Sequence, residues 1–171
     1  MTRLESGAVV LKKEWVPLEE MIGSALTRLE EKLEERAVRL DLPGSLPLLC
    51  VDAVLFEQVF INLIENAIKY TPTGSPMEVA ARVEQQKVVV EVRDRGPGLC
   101  PGSEVRIFDK FYRGPHVGIG GVGLGLSICK GVVEAHDGTI EAETREGGGA
   151  VFRVTLPVLP SPTSVAAEAA L

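Results

Sequence analysis

Aromatic residues are scarce in this 171-residue chain, with five Phe, two Tyr and one Trp, so its core has to be aliphatic. Cysteine is scarcer still: Cys50, Cys100 and Cys129 form no C-x-x-C pair, and too few histidines lie near them in the sequence for a zinc site. An odd, unpaired set excludes a disulfide framework and reads as three buried thiols in a reducing, cytoplasmic setting. Basic residues number 18 against 24 acidic ones, for a formal charge of −6, which argues against general nucleic-acid binding. No apolar run approaches the roughly 20 residues that span a bilayer, and the N-terminus lacks a signal-peptide pattern. What is present is a globular composition, 45% hydrophobic and 25% charged. The length suits one domain that buries roughly two thirds of its unfolded surface without metal or disulfide staples.

Residues 1–16 read as a linker: Met1–Gly7 is polar, and the short apolar run Val9–Leu11 leads into Lys12, Lys13 and Glu14. Pro17 suits the first turn of a helix, Glu19 and Glu20 suit its N-terminal dipole, and Leu18, Met21, Ile22, Ala25 and Leu29 form an apolar stripe. The charged run Glu30–Arg36 reads as its solvated end. Val38–Leu42 and Leu46–Val51 are strand candidates on either side of the turn Pro43-Gly44-Ser45. A helix from Val54 to Tyr70 is stopped by Pro72, Gly74 and Pro76. Met77–Val83 and Lys87–Val92 read as strands joined by the polar turn Glu84–Gln86. After the loop Arg93–Gly102 come a short helix, Glu104–Tyr112, and a glycine-rich stretch, Arg113–Gly123. The helix Leu124–His136 opens from that stretch and stops before Gly138. Thr139–Thr144 and Ala150–Leu156 are the last strands, and residues 159–171 read as a disordered tail. One domain over residues 17–158 is expected. It is α+β, a two-layer sandwich with a mixed, mostly antiparallel sheet covered by helices on one face.

Four elements carry chemistry. On the helix Val54–Tyr70, residues Gln58, Asn62, Glu65, Asn66 and Lys69 gather on one stripe. Asn at i and i+4 is a poor choice for a helix, but with Lys at i+7 the set makes good ligand groups, the amide oxygens for Mg²⁺ and the Lys for a phosphate. Asp94-Arg95-Gly96-Pro97-Gly98 follows an apolar strand. The carboxylate only accepts hydrogen bonds and could take an exocyclic amine such as adenine's, while Gly96 and Gly98 allow close backbone approach. Ile107–Arg113 holds Phe108, Phe111 and Tyr112, a hydrophobic plug or a hinge for the glycine-rich stretch. Finally, Gly121, Gly123 and Gly125 lead into a helix whose N-terminal amides suit phosphate. That glycine pattern follows a loop late in the chain, so it is not a dinucleotide fingerprint, and no Gly-Lys-Ser/Thr marks it as a Walker loop.

In this order and at these spacings the four elements resemble the N, G1, F and G2 boxes of the sensor histidine kinase ATP-binding domain, over residues 17–157. The resemblance implies the Bergerat-type ATP-binding fold shared with gyrase B, Hsp90 and MutL, with ATP and Mg²⁺ as its ligands. It implies Asn66 on the metal with Asn62 nearby, Lys69 and Arg113 near the phosphates, and Asp94 on the adenine amine beside Tyr70. Gly96, Gly98, Phe108, Phe111, Gly121, Gly123, Leu124 and Gly125 complete the implied ATP site, with Asp109–Gly121 as its lid. Arg95 and Val122 depart from the common Asn and Thr of the boxes. A narrower resemblance, carried by Glu5-Ser6-Gly7, Lys12–Glu20, Gly23–Leu26, Ile107–Arg113 and Phe152–Pro157, is to the C-terminal part of the membrane sensor kinases that control bacterial potassium uptake.

The histidines, His116 and His136, both lack the H-E-[LF]-[RK]-[TS]-P context of the phosphoacceptor. The acceptor is therefore expected on a dimerisation domain of the same kinase outside this sequence. His136 reads as a helix C-terminal residue favourable to the dipole when charged. A DNA-binding response regulator is the implied downstream partner, without nucleic-acid or membrane contact by this chain, which is expected to be a monomer. The related ATPases carry a water-activating Glu four residues before the metal-binding Asn, where this chain has Asn62. Little ATP hydrolysis is expected, although an ATPase switch and a module without a working nucleotide site remain the alternatives.

Overall fold

The computed structural model describes residues 10–112 and 125–160. The elements run β1 (Glu14–Val16), α1 (Leu18–Arg28), α2 (Glu30–Leu33), β2 (Val38–Asp41), β3 (Leu49–Val51), α3 (Ala53–Lys69), β4 (Met77–Glu84), β5 (Lys87–Arg93), a 3₁₀ turn (Arg106–Phe108), α4 (Gly125–Ala135), β6 (Thr139–Thr144) and β7 (Ala150–Pro157). Five strands form one sheet in the order β2-β4-β5-β7-β6, and β1 and β3 form a separate antiparallel pair. Within the large sheet only β2 with β4 is parallel. The expected two-layer sandwich is thus borne out. Among the described residues no helix is long and apolar enough to cross a membrane.

Strand alternation divides the sheet into two unlike faces. Met77, Val79 and Ala81, then Val88, Val90 and Val92, then Phe152, Val154 and Leu156 face the helices and form the core with them. The helix α3 lies between α1 and α4 and buries Phe56, Val59, Phe60, Leu63, Ile64 and Ala67. Asp52 caps its start by accepting from the Leu55 amide (3.2 Å), and its second oxygen accepts from the Lys12 amide (3.1 Å). The β4–β5 turn places Gln85 and Gln86 at φ 51 and 60, the twist that a two-residue hairpin favours.

Five expectations need correction. Val38–Leu42 and Leu46–Val51 do not pair with each other: β2 runs parallel to β4 and β3 pairs with β1. Pro43 and Pro47 lack the amide donors that a ladder between these segments would need. Glu14–Val16, placed in the linker by its polar surroundings, is a strand whose Val16 is buried. The helix expected over Glu104–Tyr112 shrinks to one 3₁₀ turn, because Asp109 is extended and Phe111 sits at φ 61. Only Cys129 is a buried thiol, pushed up to about 12 by burial, while Cys50 and Cys100 are half-buried.

His136 is the fifth. It is buried, not a charged helix end. Its Nε2 accepts from the Asp52 amide (3.0 Å), Nδ1–H donates to the Val132 carbonyl (2.8 Å), and Phe56 meets the ring edge-on at 4.7 Å. Accepting at Nε2 requires the neutral ring, and burial holds its pKa below the usual 6.5.

The outer face is polar and organised around Glu91, which is 4% exposed. Arg153 (2.8 Å), Arg82 (3.2 Å) and Arg93 all reach its carboxylate. Glu78, Glu84 and Glu143 bind the far sides of Arg93, Arg82 and Arg153. Burial alone would raise the Glu91 pKa, but the bonds from Arg153, Arg93 and Arg82 outweigh it and hold the group at about 2.

Both groups predict acid sensitivity, in different windows. A histidine with a lowered folded pKa stabilises the fold above its unfolded value of about 6.5 and loses that contribution as pH falls below it. Urea melts should therefore show stability declining below about pH 6.5, and His136→Phe should flatten that decline while costing about 1–2 kcal/mol at pH 8. The Glu91 contribution is complete above about 4.5 and is lost as pH falls towards 2. Glu91→Gln should cost about 1–3 kcal/mol at pH 7 and remove part of the acid transition below pH 4.5, measured by the same melts.

Candidate functional site

A cavity opens where α3 ends and β5 leaves the sheet. Asn66 and Tyr70 contribute from α3, Asp94 from the end of β5, Leu99 and Ile107 from the following loop, and Phe152 from β7. Its walls are apolar and its few polar groups converge.

Asp94 is the deepest of these, 4% exposed. Its Oδ1 accepts from the amides of Gly96 (2.9 Å) and Ala150 (3.0 Å). Its Oδ2 has no partner among the described residues and is left to the cavity. A carboxylate fixed by two backbone amides, with one oxygen free in apolar surroundings, selects a ligand that donates there. Gly96 is required by contact: a Cβ would lie 2.6 Å from the Tyr70 carbonyl, so the end of α3 and the loop meet backbone to backbone. Gly98 lines the cavity beside them.

The end of α3 is held from outside by Arg36. Its guanidinium donates to the carbonyls of Ile68 (3.1 Å), Thr71 (3.3 Å) and Ser75 (3.3 Å) and to the Thr71 hydroxyl. Arg36 therefore caps the orphan carbonyls of the helix that carries Asn66 and Tyr70. In sequence it belongs to a charged run and looks solvated. Its neighbours Glu34 and Glu35 are indeed exposed.

The expected site residues separate into groups. Asn66 lines the cavity half-buried, and its amide makes no hydrogen bond among the described residues. Asn62, one turn earlier, accepts from Gln58 Nε2 (2.9 Å) and donates to the Gly125 carbonyl (3.3 Å), tying α3 to the start of α4. Tyr70 stands at the cavity lip, 37% exposed. Lys69 is exposed and lines a different, polar groove with Arg36 and Thr71. Phe108 is buried behind the cavity, edge-on to Phe152 at 6.4 Å. Phe111 is 67% exposed and does not line the cavity; Ile107 and Tyr112 of the same segment do. Arg113, Gly121, Gly123 and Leu124 lie outside the described residues, as do His116, Val122 and most of the lid segment.

The hairpin between β6 and β7 is missing from the sequence-based site. Gly149, at φ 104, brings its Cα so close to the loop that a Cβ would sit 2.0 Å from the Asp94 carbonyl. The signal was the run Gly147-Gly148-Gly149 before an apolar strand, which reads as an ordinary turn. Leu99, Cys100 and Ser103 gave no signal at all.

Residues 51–160 match the family described as histidine kinase-, DNA gyrase B-, and HSP90-like ATPase. The sensor protein KdpD of Escherichia coli is 50% identical over 95% of this chain and 18% of its own length, so the chain spans about a fifth of that relative. A structure of full-length ShkA in complex with AMPPNP superposes with a TM-score of 0.81 at 25% identity, over 94% of this chain and 34% of that one. The histidine kinase ThkA in complex with the response regulator protein TrrA gives 0.77 at 29% identity, over 92% of this chain and 45% of that one. On the extent of the family match, and with the cavity at the end of α3 in place, the chain belongs to the histidine kinase-, DNA gyrase B- and HSP90-like ATPase family.

Proposed function

We propose that this chain is the ATP-binding catalytic domain of a two-component sensor histidine kinase of the KdpD type, acting in the cytoplasm as part of a membrane sensor of potassium or osmotic state. The observation that carries this reading is the Asp94 carboxylate, pinned at Oδ1 and open at Oδ2 on the floor of an apolar cavity. Adenine fits that floor, because its exocyclic amine donates where the carboxylate accepts and its flat ring suits Leu99, Ile107 and Phe152. Guanine presents a carbonyl oxygen at the equivalent place and meets the carboxylate unpaired.

Among the described residues no cluster of His, Cys, Asp and Glu could hold a metal alone. An ion would be shared with the triphosphate, and the uncommitted amide of Asn66 fits a hard cation such as Mg²⁺. The metal would neutralise charge on the phosphates. Asn62, whose amide is engaged by Gln58 and Gly125, keeps α4 and α3 in register beside it. Arg113, Gly121, Gly123 and Leu124 are the proposed phosphate partners, with Gly125 joining them at the start of α4.

The protein's task is positioning. In the transfer, a bond forms between the γ-phosphorus and an imidazole nitrogen while the bond from that phosphorus to the β–γ bridging oxygen breaks, leaving ADP. The imidazole and the group that accepts its proton belong to the phosphoacceptor domain of the same kinase, outside this chain. A KdpE-like response regulator then takes the phosphoryl group, a pairing supported by the ThkA complex with TrrA. An ATPase switch is disfavoured because Glu65, beside Asn66, is turned away to Lys32 (3.1 Å).

Calorimetric titration with a non-hydrolysable ATP analogue should show micromolar or better binding that strengthens with Mg²⁺, and much weaker binding of the GTP analogue. No binding to folded protein at millimolar analogue would refute the reading. Asp94→Asn should reduce the ATP-over-GTP preference by about tenfold or more, since an amide can present a donor to the amine. Asn66→Ala should abolish the gain from Mg²⁺ and leave metal-free ADP affinity within about threefold. ATP turnover by the purified chain should be negligible; hydrolysis that survives repurification and disappears in Glu65→Gln would revive the switch.

A further inference from the structure

Two arginines cross the gap between the Asp94 loop and the β6–β7 hairpin in opposite directions. Arg145, on the hairpin, donates through Nη1 to the main-chain carbonyl of Asp94 (3.0 Å). Arg95, on the loop, donates through Nη1 to the main-chain carbonyl of Gly148 (3.2 Å). Between them the Asp94 amide donates to the Ala150 carbonyl (3.0 Å), and the Ala150 amide donates to Asp94 Oδ1 (3.0 Å). The Leu99 amide donates to Thr144 Oγ1 (3.1 Å). Gly149 lies against the same Asp94 carbonyl that Arg145 holds.

Neither arginine has a carboxylate within ion-pair distance among the described residues. That contrasts with Arg93 and Arg153 on the same sheet, which both hold Glu91. Arg145 is half-buried, and burial together with the nearby positive charges of Arg95 and Arg93 disfavours its charged form. Glu78 and Asp94 favour the charge from beyond ion-pair distance, and the guanidinium itself is committed to a backbone carbonyl. That carbonyl belongs to the residue whose free carboxylate oxygen faces the cavity, while Arg145 does not line the cavity itself.

We propose that Arg145 is a positioning residue that sets the base selectivity of the cavity, by fixing the Asp94 main chain and with it the direction of Oδ2. Arg95 completes the clamp from the other side. The inference rests on the nucleotide reading above. Releasing the Asp94 peptide lets the carboxylate turn, so it no longer meets a 6-amino purine squarely or excludes a 6-oxo purine. The metal and phosphate end at Asn66 is untouched.

The test titrates the full chain with ATP and GTP analogues, with and without Mg²⁺. Arg145→Met should lower the ATP-over-GTP affinity ratio about five- to tenfold while leaving the ratio of affinities with and without Mg²⁺ unchanged. Arg145→Lys, which can still donate to the carbonyl, should recover part of the loss. In an Asp94→Asn background Arg145→Met should lower the ratio no further, because both changes act through one carboxylate. Equal weakening of both nucleotides, or a loss that multiplies with that of Asp94→Asn, would overturn the proposal. If Arg145→Met does not fold, the exposed Arg95→Met decides: a smaller drop in the ratio upholds the clamp and an unchanged ratio refutes it. A wild-type chain that binds neither analogue, or does not distinguish them, takes down the nucleotide reading itself.

Discussion

The cavity depends on one helix being held at both ends. The body of α3 is fixed by apolar packing against the sheet, α1 and α4, but burial of that kind is non-directional and does not specify where the helix stops along its axis. Polar contacts do. At the start, Asp52 caps the helix and its own amide is taken by His136 from the end of α4. At the finish, Arg36 takes the Ile68 carbonyl of the last turn and the Thr71 carbonyl just past it. Asn66 and Tyr70 therefore arrive at the cavity at a defined height, and the Gly96 loop can press against the Tyr70 carbonyl.

The two faces of the sheet solve different problems. The helix side is aliphatic, with Phe56, Phe60 and Phe152 as its large members. Among the described residues no helix covers the other side, and the long arginine side chains lie across it, with their heads on Glu91 and the surrounding glutamates. Ala80, Val89 and Val151 on that face are buried.

Much of this was legible from residue order. The 3.6-residue period of α3, the alternation of β4, β5 and β7, and the glycines around Asp94 each have one economical structural reading. Asp94, Asn66, Tyr70 and Gly98 do converge on one cavity. The failures share a cause. Arg36, Gly149 and Arg145 act on carbonyl groups tens of residues away, and a carbonyl leaves no mark in a sequence. Phe108 and Phe111 were grouped as aromatics of one segment, yet a positive φ at Phe111 sends it outward while Phe108 goes into the core. His136 reads as a helix-end residue that can carry charge, because its partner, the Asp52 amide, lies 84 positions earlier. Between Val38 and Val51 prolines, not the turn, decide the strand pairing.

The parallel seam between β2 and β4, and the small β1–β3 pair, have a consequence for what counts as the unit of folding. The segment that carries the family match starts at residue 51. Yet β3 ends there with its partner β1 upstream, β2 supplies one edge of the main sheet, and Arg36 reaches forward over the end of α3. A fragment cut at that point would keep Asp94, Asn66 and the glycines while losing a sheet edge, the first helix of the core and the cap on α3. The recognisable segment and the self-supporting one are different lengths of chain, and the extra part lies at the N-terminal side.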